Sequence, residues 1–423
     1  MSMRSRAIGL LLLQVLAGPA VAAAQSAPNA VTDWATIVQP AVMAQKSPGT
    51  AQVHHTMVML AVYDATVAID GGYRPYAVRL QAVPQADRRA AVATAAYVTA
   101  RARASVTQYA YLDEQYATYL AGIPDGPAKT LGIETGQAAA DAILALRTGD
   151  GFDAVVPYFC SAIPPLVGEF EPETGCPATP GDPQPVDAKL GGIRPFTFSD
   201  PSRFRPAGPN PLTSAEYTEN FIETRDRGRA NGAIRTPQQT DIAYFWTGHP
   251  FANWNRNLVA LAIARGLSVR DAARFFAIVN TATSDAIIAG FEAKYHYRAW
   301  RPVTAIRQAD KDGNPDTAAD PTWTPLLRVN HPEYPSGHAF WSTALTDAVA
   351  AFFGTNKVAW TLTSDAPLAM QKERTYYDLN ALMREVDDAR VWGGLHWRHT
   401  MRDGAQVGRK VAQHVTRNFF QPE

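Results

Sequence analysis

The sequence predicts an all-α fold of packed helical bundles, broken by one long irregular excursion. Three observations carry this. Apolar residues recur at helical spacing in several long segments, alternating strand patterns are scarce, and residues 150–212 are dense in Pro, Gly and Asp. A chain of 423 residues that is 46% hydrophobic can bury a large core, enough for two packed helical regions. The division expected is residues 1–24 as a targeting segment, 25–235 as an N-terminal helical region carrying the excursion, and 236–423 as a C-terminal helical domain.

The first segment has Arg4 and Arg6, an apolar stretch from Ile8 to Leu16, and Ala22-Ala23-Ala24 before Gln25. That order reads as a cleaved secretory signal peptide; the apolar stretch is too short for a retained membrane anchor. Elsewhere no run approaches the ~20 apolar residues that a membrane span needs. Leu345 to Phe353 is the most apolar stretch near the motifs described below, and Thr346 and Asp347 interrupt it. The expectation is a protein secreted or periplasmic, free of the membrane after cleavage.

Helices follow. One is expected over Arg88 to Leu112 and another over Pro127 to Leu146, stopping at Gly149 and Gly151. The excursion after it is long for a compact domain unless it serves a function, so it is a candidate cover for a cleft. Within it lie both cysteines, Cys160 and Cys176, which an oxidising compartment could join; two free thiols are the alternative. Two cysteines alone do not make a structural zinc site. Ser268 and Asp271 form an S-x-x-D start for a helix running to about Tyr297. Pro335-Ser336-Gly337 precedes a helix from His338 to Phe353, stopped by Gly354. A last helix is expected from about Gly404 to Phe419, with Val407, Val411 and Val415 on one stripe.

Lys plus Arg and Asp plus Glu each number 39, so formal charge is zero. No basic face or tail points to nucleic acid, and an anion site would have to be assembled locally. Three clusters can assemble one: Lys294 with Arg301-Pro302, then Pro335-Ser336-Gly337-His338, then Arg390 with His396. Arginine offers a planar fork of donors that matches an oxyanion. Ser336 and Gly337 stand at a helix N-terminus, where a hydroxyl and free backbone N–H groups suit an anion, and glycine lets the backbone come close. Two histidines add an acid/base group and a nucleophile or ligand. Each piece alone is weak, since a single Lys, Arg or His usually has a structural or solvated role. The ordered pattern K-x6-R-P, P-S-G-H, R-x5-H is the signal.

That pattern resembles the phosphatidic acid phosphatase type 2 (PAP2)/haloperoxidase superfamily. Phe245-Trp246, Asn253-Trp254-Asn255, the run AKYHYRAWRPVTAIR and the stretch from His55 to Asp64 resemble its bacterial vanadium-dependent haloperoxidase branch, with a likeness spanning roughly residues 35–420. The resemblance implies helical bundles of that type and a vanadate cofactor, with phosphate able to occupy the same place. It implies that Lys294, Arg301, Ser336, Gly337 and Arg390 hold the oxyanion and that His396 is the axial ligand to vanadium, or the nucleophile of a phosphatase. His338 would be the acid/base group that deprotonates hydrogen peroxide, and Lys294 would polarise that peroxide. Partners would be peroxide and halide, or a phosphate ester; a homo-oligomer is compatible with the sequence. His331, five residues before Ser336, stands where bromoperoxidases of the family tend to carry histidine, which favours bromide or iodide; the other reading is a brace for the P-S-G-H turn. One departure stands out. Many family members place an acid four residues after the last histidine, where this chain has Thr400, so Asp403 becomes the candidate charge partner for His396. His296, His54 and His55 read as packing or capping residues.

Three functions stay open on the sequence: a vanadium haloperoxidase, a secreted acid phosphatase working through a phosphohistidine at His396, and a non-catalytic oxyanion carrier. The flanking likeness favours the first. The pairing of His338 with His396 argues against the third, because binding alone does not need both.

Overall fold

The computed structural model describes residues 29–423, so the expected signal peptide lies outside the described residues. Fourteen α-helices and a two-stranded sheet follow in order among the described residues. Helices α1 (Ala30–Ile37) and α2 (Gln39–Met43) lead to α3 (Pro48–Asp70), which is buried on almost every side. A helix apolar all round belongs inside, and α3 packs against α4 (Arg88–Arg103), α6 (Pro127–Leu146) and α10 (Val269–Tyr297). Between α4 and α6 runs α5 (Tyr109–Ala121).

After the excursion come α7 (Ala215–Gly228), α8 (Pro237–Phe245) and α9 (Pro250–Ala264), then α10, whose inner face is continuous with the core of α3. The short α11 (Pro302–Arg307) follows, and α12 (Gly337–Phe353) packs on α10. An antiparallel hairpin of β1 (Trp360–Thr363) and β2 (Glu373–Tyr376) pairs Trp360 with Tyr376. Helices α13 (Leu379–Trp392) and α14 (Arg398–Asn418) close the chain. Helix α14 crosses α12 through small residues. A Cβ on Gly404 would lie 2.7 Å from the Ser336 carbonyl oxygen, and one on Gly408 would lie 2.9 Å from the Ala344 nitrogen. That close approach sets the depth at which Ser336 sits.

The all-α expectation holds, with two differences in element boundaries and one in a helix cap. The helix expected through Leu112 ends at Arg103, and the chain passes through a short 3₁₀ turn at Val106–Gln108 before α5. Ser105-Val106-Thr107 is a poor helical run, and Arg101 is better served across the break, over the Tyr109 ring and bonded to Asp113 at 2.7 Å. The last helix begins at Arg398, six residues before Gly404, because that glycine serves packing and not termination. At the start of α10, Ser268 accepts from the Asp271 N–H at 3.1 Å, but the Asp271 carboxylate bonds the Ser268 hydroxyl instead of the cap backbone.

The excursion is irregular, as expected, with 3₁₀ turns at Leu190–Gly192 and Pro201–Phe204, and Cys160 and Cys176 are joined. Backbone hydrogen bonds stitch it to the chain after α10: Phe170 N–H to the Arg298 carbonyl at 2.7 Å, and Trp300 N–H to Gly168 at 2.8 Å. It therefore lies over the segment that leads into Arg301.

Candidate functional site

Four chain segments meet at one buried place. Lys294 lies in the last turn of α10, which stops at Arg298 in a left-handed conformation (φ 51°). The turn sends the chain to Arg301, the residue before α11. Residues 331–336 form the strap before α12, and Arg390 sits in the last turn of α13. Gly393 and Gly394 then turn the chain, Gly394 at φ 73°, and deliver His396 just before α14. A Cβ on Gly394 would lie 2.9 Å from Pro325, so this turn needs glycine for both conformation and room.

The strap is held by the cations. Lys294 Nζ donates to the carbonyls of Pro332 and Glu333 at 2.9 and 3.0 Å. Arg301 donates through Nε to the His331 carbonyl (2.7 Å), through Nη2 to His331 Nδ1 (2.8 Å) and through Nη1 to the Leu395 carbonyl (2.9 Å). Its Nη1 also lies 3.2 Å from His396 Nε2. Arg390 Nη1 donates to the Trp246 carbonyl at 3.2 Å, and His338 borders the same Trp246. All the residues that the motifs single out therefore converge: Lys294, Arg301, Ser336, Gly337, His338, Arg390 and His396.

The orientation of His396 is fixed by Glu333. Its Nδ1 lies 2.6 Å from Glu333 Oε1, which also accepts from the Thr400 hydroxyl at 2.6 Å and the Trp397 N–H at 3.2 Å. An Nδ1–H directed at a carboxylate leaves the Nε2 lone pair facing the cations. Asp403 does not take this part. It accepts from the Tyr334 hydroxyl at 3.0 Å and pairs with Arg402 at 3.2 Å, so the expectation of Asp403 as partner of His396 is corrected. The acid missing at position 400 is supplied from position 333, and Thr400 becomes a donor to it. The signal was present in His331-Pro332-Glu333-Tyr334-Pro335, where a glutamate precedes an apolar turn.

Electrostatically the place is out of balance. Lys294, Arg301 and Arg390 are buried with a single carboxylate, Glu333. Burial, then the neighbouring Arg301, push the Lys294 ammonium well below the usual lysine range. Burial lowers Arg390 to about 9 and Arg301 to about 10, and raises Glu333 to about 7. Burial, then Arg301, hold His396 well below its ordinary value; burial, then Arg390, do the same to His338. Both imidazoles are neutral near pH 7. Two buried polar atoms, Ser336 Oγ and Arg390 Nε, have no hydrogen-bond partner. Unpaired buried donors and surplus positive charge are costly, and a small multiply charged oxyanion would offset both.

Comparison with known proteins finds likeness in sequence and fold. Residues 274–421 match the family model of the VCPO second helical-bundle domain. The vanadium chloroperoxidase of Curvularia inaequalis is 28% identical over 177 residues, a match covering 35% of this chain and 28% of that protein's length. A crystal structure of a bacterial vanadium-dependent iodoperoxidase aligns over 93% of this chain and 96% of its own, with TM-score 0.75 and 20% identity. A holo-type bacterial vanadium-dependent chloroperoxidase aligns over 94% and 98%, with TM-score 0.72 and 18% identity. In fold the chain is similar to these bacterial vanadium-dependent haloperoxidases.

The residues gathered here fit a small oxyanion. The orphaned Ser336 hydroxyl and Arg390 Nε supply donors, and a Cβ on Gly337 would find Lys294 Cε at 3.6 Å and nothing closer. Gly337 is thus demanded neither by φ nor by crowding within the protein. Among the described residues no group of three or more His, Cys, Asp or Glu is placed to hold a metal ion. Trp246 joins the site through its carbonyl, which sequence reasoning had seen only as a likeness. Asn255 faces away, tying α9 to the Ala35 carbonyl at 2.8 Å. His54, His55 and His296 stand apart, as expected: His54 Nε2 meets the Ala100 carbonyl at 3.0 Å, His55 Nδ1 meets Asn280 Oδ1 at 3.2 Å, and His296 packs on Tyr297.

Proposed function

We propose that the protein is a vanadium-dependent haloperoxidase that oxidises halide with hydrogen peroxide to hypohalous acid. One observation carries the reading: three buried basic side chains and two unpartnered donors gather near a histidine whose Nδ1 is braced by a carboxylate and whose Nε2 faces Arg301 at 3.2 Å. Lys294, Arg301, Arg390, the Ser336 hydroxyl and the Gly337 amide would hold vanadate's oxygens, and His396 Nε2 would be its protein ligand. Vanadate supplies a Lewis acid that activates peroxide without changing oxidation state.

The chain's own residues do the rest. Glu333 keeps the His396 proton on Nδ1, so the Nε2 lone pair stays available. His338, neutral and facing the Trp246 carbonyl region beside Arg390, takes the proton of incoming hydrogen peroxide at an imidazole nitrogen. Lys294, at the end of a rigid buried helix, places a positive charge where electron density must leave the peroxide oxygen. His331 braces Arg301 through Nδ1, and its ring packs on Phe291 at 5.5 Å. That supports the bracing reading. The preference for bromide or iodide rests on the same residue's place in the family pattern, and one of the fold's neighbours is an iodoperoxidase. The joined Cys160 and Cys176 support an exported protein, as the N-terminal pattern proposes.

The alternative is an acid phosphatase using the same pocket, since an attacking Nε2 and three cations also suit phosphoryl transfer. One assay separates them. With vanadate and peroxide, the protein is expected to brominate or iodinate an indicator dye, with activity absent before vanadate is added. Hydrolysis of a phosphate monoester that vanadate inhibits, without halide oxidation, would overturn the first reading in favour of the second.

A further inference from the structure

Arg298 turns the chain from Lys294 toward Arg301, and it does so at φ 51° and ψ 36°, a left-handed position that favours glycine. The excursion holds an arginine there. The Arg298 guanidinium lies over the Tyr158 ring at 4.6 Å, pairs through Nη2 with Glu169 Oε1 at 2.8 Å, and donates to the Phe159 carbonyl. The Arg298 carbonyl accepts the Phe170 N–H at 2.7 Å. Side chain and backbone are thus gripped by one loop.

That loop is itself closed. Cys160 and Cys176 are joined across it, and the Glu169 carboxylate takes the N–H groups of Ser161 at 2.8 Å and Leu166 at 3.3 Å. Glu169 is buried and Arg298 half-buried, so their pairing is screened less than one on the surface.

The grip reaches the oxyanion site by two routes. Along the chain, Trp300 N–H donates to the Gly168 carbonyl at 2.8 Å, and Arg301 comes next. Across the chain, Ala299 pairs with Glu169 on one side, and on the other its carbonyl accepts the Glu333 N–H at 2.9 Å. Residues 298–300 are therefore held between the excursion and the strap whose carboxylate braces His396.

We infer that Arg298 and Glu169 are positioning residues for the oxyanion site, holding residues 298–300 so that Arg301 and Glu333 stand where an anion and His396 need them. This rests on the oxyanion site of the proposed function and not on which reaction runs there.

Arg298→Gly tests it in the full-length protein. Glycine suits the left-handed turn, so a residue that only ended α10 could be replaced there without loss. Positioning predicts that the Kd for inorganic phosphate, measured by calorimetry well below the unfolding temperature, rises about tenfold. Arg298→Lys keeps a charge for Glu169 without the planar fork and should recover part of that loss, to about threefold above wild type. Glu169→Gln reaches the same pair from the loop, and its effect should match that of Arg298→Gly without adding to it in the double variant. A second readout is the downfield proton resonance of the His396 Nδ1–H, assigned by its loss in His396→Ala. It reports the placement of Glu333, and it should move in Arg298→Gly and in Glu169→Gln and return toward wild type in Arg298→Lys. Phosphate affinity and this resonance both unchanged in Arg298→Gly and Glu169→Gln would overturn the inference. If the wild-type protein binds no phosphate, the oxyanion reading fails, and an unmoved resonance would then overturn the positioning role by itself.

Discussion

Two regions of this molecule bury charged and polar groups, and they treat them differently. Away from the site, Asp64 on α3 accepts from the N–H groups of Tyr76, Ala77 and Val78 at 2.6, 2.8 and 3.2 Å. Asp285 on α10 likewise takes the N–H groups of Phe196 and Thr197 at 2.6 and 3.0 Å, tying the end of the excursion to the core. These carboxylates are finished by the protein's own backbone. Around His396, three cations share one carboxylate, and Ser336 Oγ and Arg390 Nε are left unfinished. A carboxylate completed by backbone anchors the fold, whereas donors left incomplete beside surplus positive charge suit an anionic ligand.

The comparison breaks most readily at His396. His396→Ala should lower turnover by about a thousandfold or more, because the ligand or nucleophile is lost; steady-state halide oxidation measures it, and retained activity would refute the assignment. In the anchoring region, Asp285→Ala should cost about 3 kcal/mol of stability by stranding two buried N–H groups, read from denaturant unfolding. Phosphate affinity of the folded fraction should stay unchanged. A loss of anion binding there would mean that the two regions are not independent.

Glu333→Gln sharpens the contrast. It keeps the shape but replaces the carboxylate, and vanadate or phosphate affinity measured by calorimetry should fall about ten- to a hundredfold while thermal unfolding changes little. A lowered melting temperature with unchanged affinity would make Glu333 a structural anchor like Asp64. The smallest effect expected is a proton count. Burial and Arg301 depress the Lys294 ammonium in the empty cluster, and a bound anion favours its charged form, so binding should be accompanied by proton uptake. The sign follows: affinity should rise as pH falls. Calorimetry in two buffers of different ionisation enthalpy checks it, and proton release would contradict it.

Much of the site was legible in the sequence because its residue types are rare in combination. Lys294, Arg301, Ser336, Gly337, His338, Arg390 and His396 all reach the same place. Glu333 was not legible, because the reading looked for an acid on the helix after His396, near in sequence, while the acid comes from a strap 63 residues earlier. Helix existence was read well from periodicity, but the break after Arg103 and the true start of α14 were set by contacts across space.

By itself, then, the sequence determined that this chain is helical, where its irregular excursion falls, and which side chains could bind an oxyanion. These follow from local periodicity, from Pro and Gly content, and from the chemistry of single residues. Only the tertiary structure decided which carboxylate braces His396 and which donors remain unpaired. Those depend on distances between residues far apart in the chain, which packing alone sets.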